Sequence, residues 1–145
     1  MKNKIKLGFG FLIVLLIIPF VSSFGVTAPY WDDNPLIMYP GQTKDFSLIL
    51  QNMVSTEDIT LKAELVEGDE IATLTDTNLI YTVPAGRKDI DVNLRVEIPE
   101  DITLDKEYKI GVSFKSSNRG LSLFLNIPIS VLNQIFFTNN KDLPS

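Results

Sequence analysis

The chain has 145 residues, enough for one domain at roughly 100–200 residues per domain. It contains neither histidine nor cysteine, which excludes a disulfide framework, a zinc site built on thiolate or imidazole, a cysteine nucleophile and a histidine general base. Eighteen acidic against 13 basic residues leave a net charge of −5, which opposes electrostatic binding to nucleic acid.

The N-terminal stretch carries the three parts of an export signal. Lys2, Lys4 and Lys6 form a positive start, residues 7–21 are apolar apart from Gly8, Gly10 and Pro19, and Ser22, Ser23 and Gly25 are the small residues of a cleavage site. Residues 1–25 are therefore assigned to a signal peptide cleaved after Ser23 or Gly25, or to an N-terminal membrane anchor, since about 18 apolar residues just span a bilayer. The lysines place Met1 on the cytoplasmic side. The rest of the chain is expected outside the cytoplasm, with membrane contact through residues 1–25 only. Without the three lysines, ten cations face 18 anions, a charge of −8 that keeps the remaining surface solvated.

From residue 36 onward apolar residues recur with period two. Short runs at 36–39 and 79–83 accompany longer alternations. These comprise Phe46, Leu48 and Leu50; Ile59, Leu61, Ala63 and Leu65; Ile90, Val92, Leu94, Val96 and Ile98; Tyr108, Ile110, Val112 and Phe114; and Leu121, Leu123 and Leu125. That period buries one face of a strand and wets the other. Pro40-Gly41, Glu67-Gly68-Asp69, Asp76-Thr77-Asn78, Pro84-Ala85-Gly86, Pro99-Glu100-Asp101 and residues 116–120 supply the turns between them. Seven strands, and a weaker eighth over 70–74, predict an all-β, antiparallel Greek-key sandwich across 26–132, followed by a tail over 133–145. A closed barrel is the architectural rival. Pro128 cannot donate to a ladder, so it marks an edge position or a bulge that guards the last strand.

Tyr108 follows the connection after Pro99 and opens a strand, the place of a tyrosine corner whose hydroxyl bonds backbone a few residues upstream. The segment Pro40-Gly41-Gln42-Thr43-Lys44-Asp45-Phe46-Ser47-Leu48-Ile49-Leu50-Gln51-Asn52, together with Val83-Pro84-Ala85-Gly86 and Ile98-Pro99, resembles prokaryotic cell-surface Ig-like domains. That group takes in the NEW3-like, fibronectin-III-like and chaperone-like sandwiches, and the resemblance covers about residues 36–131. It implies an extracytoplasmic structural or binding module with no catalytic residues. The cysteine pair and strand-C tryptophan of antibody-type domains are missing.

Candidate chemistry is sparse. Asp32, Asp33 and Asn34, and likewise Glu67, Asp69 and Glu70, offer oxygens, but neither group has the spacing of a calcium loop, so both read as solvated turn acids. No nucleophile-elbow or phosphate-loop motif occurs. No catalytic residue, metal or cofactor is assigned. Tyr30 and Trp31 have two readings: a plug packed over one end of the sandwich, which the burial usual for a lone tryptophan favours, or an aromatic anchor for a partner. If a partner binds, its contacts are assigned to Tyr30, Trp31, Glu67, Asp69 and Glu70, and the partner to an envelope protein or glycan. The rival functions are a small secreted hydrolase using two carboxylates and an envelope chaperone acting by edge-strand addition.

Overall fold

A computed structural model describes residues 24–104 and 106–133. The assignments made to residues 1–23, including most of the export segment, and to the tail from residue 134 lie outside the described residues. Nine strands form among the described residues: β1 (Gly25–Thr27), β2 (Leu36–Met38), β3 (Thr43–Gln51), β4 (Ile59–Glu67), β5 (Ala72–Leu74), β6 (Ile80–Val83), β7 (Ile90–Glu97), β8 (Glu107–Ser116) and β9 (Ser122–Val131). They build two sheets, ordered β1-β3-β7-β5 and β2-β9-β8-β4-β6. The architecture is an all-β sandwich, and two expectations need correction.

The strand count is nine rather than seven or eight. The weak run over 70–74 narrows to β5, held by three residue pairs with β7. The additional strand is β1, whose three residues are too few to display a period and lie among the small residues of the cleavage pattern. The second correction concerns direction: β2 runs parallel to β9, with Leu36 opposite Ile129 and Met38 opposite Val131. Three residues cannot announce their partner; β2 is drawn there because burying Leu36 and Met38 completes the core beside β9.

The core lies between the sheets and follows the alternation. Leu48, Leu61, Val92, Leu94, Ile110 and Val112 are buried as expected, while Phe46, Leu65 and Leu123 are only partly so, toward the margins. Strand β8 departs from period two, because Gly111 and Ser113 on its outer side are buried as well. The ring of Phe124 on β9 lies over Gly111, 2.7 Å from where a β-carbon would stand. An aromatic thereby covers backbone that glycine leaves bare. Pro128 sits opposite Lys109 of β8, one residue before β2 begins to pair at Ile129. Its missing N–H thus falls in the stretch of β9 that has one neighbour only.

Side-chain hydrogen bonds fix the connections. The Tyr108 hydroxyl donates to the Thr103 carbonyl at 2.8 Å, five residues upstream. Asn52, at the end of β3, is buried and ties three segments together. Its amide nitrogen donates to the carbonyls of Glu57 at 2.9 Å and Val83 at 3.0 Å, while its backbone exchanges bonds with Arg87 and Gly86.

Candidate functional site

The residues assigned to partner contact do not converge. Tyr30 follows β1 along one edge of the four-stranded sheet, whereas Asp69 and Glu70 precede β5 on its other edge, with β3 and β7 between. Glu67 closes β4 beside a bulge at Val66, opposite Gly111. The turn that follows is tight: the N–H groups of Ile71 and Ala72 both donate to the Gly68 carbonyl, and Ala72 is buried. Asp69 and Glu70 are exposed on this turn.

Tyr30 is half-buried against the sheet, whereas Trp31 is not. The Tyr30 ring meets Phe46 edge-on, with centroids 5.1 Å apart, and the Lys44 ammonium stands 5.4 Å from the Tyr30 centroid. Trp31 is 56% exposed, which corrects the expectation that it packs over an end. The cause is the turn Trp31-Asp32-Asp33-Asn34. Trp31 N–H donates to the Asn34 carbonyl at 3.1 Å, Asn34 N–H returns the bond at 2.8 Å, and the Asn34 side chain donates to the Pro29 carbonyl at 3.2 Å. These bonds hold the backbone and leave the indole projecting. Asn34 spends its amide on this turn, and no group of three or more acidic side chains able to hold a metal forms among the described residues.

A polar site that the sequence reasoning missed lies on the outer face of the four-stranded sheet. An open depression of about 420 Å³ is lined by Asp45, Phe46, Ser47, Thr75, Asp76, Asn93 and Leu94. Asp76 is its centre. Its Oδ2 accepts from the Tyr81 hydroxyl at 2.7 Å and the Asn93 N–H at 2.9 Å, and its Oδ1 accepts from the Asn93 side-chain amide at 2.7 Å. The Ser47 hydroxyl donates to Asn93 Oδ1 at 2.7 Å. Beside it, Arg95 donates twice to Asp45, at 2.7 and 2.9 Å. One carboxylate therefore joins β7 to β6, that is, one sheet to the other. The turn cluster Asp76-Thr77-Asn78 was visible in the sequence, but partners 5 and 17 residues away were not.

Burial pushes the Asp76 carboxyl up, yet the hydrogen bonds from Tyr81 and Asn93 outweigh it and hold the group below its ordinary value of 3.8. Burial, and then the bond and charge of Asp76, hold the Tyr81 hydroxyl above its ordinary value. The Arg95 hydrogen bond lowers the Asp45 carboxyl. A two-carboxylate hydrolase needs one carboxyl kept protonated near neutral pH. Asp45 and Asp76 are shifted the opposite way, and their oxygens are already spent on protein donors.

The depressed Asp76 value has a consequence for folding. A carboxyl lowered in the folded state adds stability above its unfolded pKa and loses it as pH falls through the folded value. The urea midpoint is thus expected to fall on acidification from about pH 5 to about pH 2. Asp76→Asn should flatten that fall, leaving the share due to Asp45 and to Asp89, whose carboxyl is lowered by the hydrogen bonds from Arg87. An unchanged slope in a midpoint series would mean that Asp76 does not carry it.

No family model and no curated protein matches the chain. Among solved structures it is similar to part of a family 123 glycoside hydrolase from Clostridium perfringens. The TM-score is 0.55 at 6% identity, over 78% of this chain and 27% of the enzyme. It is also similar to the SrpA adhesin of Streptococcus sanguinis, with a TM-score of 0.51 at 13% identity, over 78% of this chain and 57% of the adhesin. The chain thus spans about a quarter of one and just over half of the other. At such identities the likeness is one of fold, the two-sheet β-sandwich, which hosts many functions.

Proposed function

We propose that the chain is a non-catalytic, extracytoplasmic Ig-like module that binds an envelope protein or glycan through the turn carrying Trp31. The observation that carries this reading is the indole itself, 56% exposed on a turn whose backbone is pinned by three hydrogen bonds. An exposed tryptophan on a rigid support loses little freedom on binding and offers a large apolar face with one N–H donor. Tyr30 and Lys44 extend the same surface. The fold is compatible with a binding role, as in the adhesin it resembles, and the engaged state of Asp45 and Asp76 speaks against hydrolysis by that pair. The lysine-rich, apolar N-terminal sequence supports a place outside the cytoplasm.

The test is capture of envelope components, proteins and glycans, on the purified chain. Trp31→Ala is expected to weaken the captured interaction at least about tenfold, the loss of roughly 1.4 kcal/mol or more that marks an anchor residue. Its urea midpoint should be unchanged, because the side chain is exposed. Retained affinity would remove Trp31 from the binding surface. Turnover of a polysaccharide or peptide that is abolished at Asp76 or Asp45 would replace the module by an enzyme.

A further inference from the structure

The two ends of the sandwich differ. Loops 52–58, 84–89 and 117–121 gather at one end, and loops 39–42, 67–71 and 98–104 at the other. Gly25 pairs with Gln51, so buried Phe24 lies alongside Asn52 at the first end. The 23 residues before Phe24, including the apolar run over 7–21, therefore join the sandwich next to the 52–58 loop.

That loop inverts the usual burial. Asn52 and Ser55 are 0% and 7% exposed, whereas Met53 and Val54 between them are 56% and 72% exposed. Hydrogen bonds enforce the inversion. Asn52 is tied to Glu57, Val83, Gly86 and Arg87, and the Ser55 hydroxyl donates to the Glu57 carbonyl at 3.0 Å while accepting from the Glu57 N–H at 3.1 Å. With both flanking polar residues held inward, the two apolar side chains have nowhere to go but out. Water disfavours that arrangement, and the interfacial layer of a bilayer favours it.

The charges differ between the ends. The first end carries Arg87, Lys88 and Arg119 against Glu57, Asp58 and Asp89, with Arg87 paired to Asp89 and Arg119 to Glu57, so it is balanced. The opposite end carries Glu67, Asp69, Glu70, Glu100 and Asp101 with Lys106 as a cation, so it is acidic. An anionic lipid surface repels the second end and not the first.

We infer that residues 1–23 stay attached as a membrane anchor and that this end of the sandwich seats on the bilayer, with Met53 and Val54 in the interfacial layer. The occupant of the apolar tip is lipid because the apolar run over 7–21, which suits the interior of a bilayer, joins the chain beside it. This rests on the extracytoplasmic reading above and adds a second contact to the one assigned to residues 1–25. It aims the acidic end away from the membrane and leaves Trp31, on the flank, open to a partner.

The absence of native cysteine allows single labels. The full chain, carrying Val54→Cys or Glu70→Cys with an environment-sensitive fluorophore, is reconstituted into preformed vesicles of phosphatidylcholine and phosphatidylglycerol. Acyl-chain-brominated lipid should quench the label at 54 and not the label at 70, and aqueous iodide should reach position 54 roughly fivefold less than position 70. A Lys88→Cys label should report lipid proximity that Met53→Asp removes. Chain that floats with the vesicles but shows equal iodide access at 54 and 70 overturns the seat while sparing the anchor. Chain that does not float overturns the anchor and the reading beneath it. A label at 54 shielded from both quenchers means that protein covers the tip, and that also overturns the seat.

Discussion

Phe114→Ala is expected to destabilise the sandwich by about 3–5 kcal/mol, measured as a drop in urea midpoint with an unchanged slope. Phe114 is fully buried on β8, between β4 and β9, opposite Ala63 on one side and Leu123 on the other. Alanine removes a ring from a site whose neighbour on β4 is already an alanine, so the gap cannot be filled from that side. The penalty combines lost apolar burial with a residual cavity. A domain of this size holds only about 5–15 kcal/mol in reserve, so the variant should be close to unfolding at 37 °C. A loss below about 1 kcal/mol would place Phe114 outside the core.

The second large effect is expected at Gly68, and two glycines with the same backbone angle separate its causes. Gly68 has φ +80° and Gly86 has φ +79°. Alanine in that region costs about 1–2 kcal/mol at either position. At Gly86 nothing lies within 4 Å of the added carbon, so this strain is the whole cost. At Gly68 the carbon would stand 2.6 Å from the Lys109 carbonyl oxygen, which is ladder backbone and cannot step aside. Gly68→Ala should therefore cost at least about 1 kcal/mol more than Gly86→Ala and loosen the junction of β4 with the start of β8. Equal losses would show that the close approach carries no weight. Asp69 and Glu70 ride on this turn, so their position depends on the same glycine.

The polar depression and the indole differ in a way that bears on function. Around Asp76 both carboxylate oxygens already accept from protein donors, so the carboxylate is satisfied without a ligand. Trp31 is incomplete in that sense, because its turn is satisfied while its ring has no apolar cover. Met53 and Val54 share that property at the end where the N-terminal segment joins. Trp31, Met53 and Val54 are thus apolar side chains on hydrogen-bonded supports, and the proposed partner contact and membrane seat rest on them.

Much of the framework was determined by the sequence itself. Period-two alternation in β3, β4, β7 and β8 fixed which residues face the core, because a one-residue slip would expose the whole set. Proline and glycine marked the turns, since few other residues adopt their backbone angles. The tertiary structure decided what short segments and long-range partners do. Three-residue strands such as β1, β2 and β5 have no period to read, so their existence and direction follow from the uncovered edges available to them. The exposure of Trp31 was settled by backbone bonds within its turn, which outweigh the ordinary tendency of an indole to be buried. The bond from Asp76 to Asn93 spans 17 residues and appears only once β7 is placed beside β5. The outward Met53 and Val54 likewise follow from Asn52, unremarkable at the end of an alternating strand, finding partners at the end of β6 and on the loop after it, more than 30 residues away. Hydrophobic period is local and can be read along the chain, whereas hydrogen-bond satisfaction depends on which strands become neighbours.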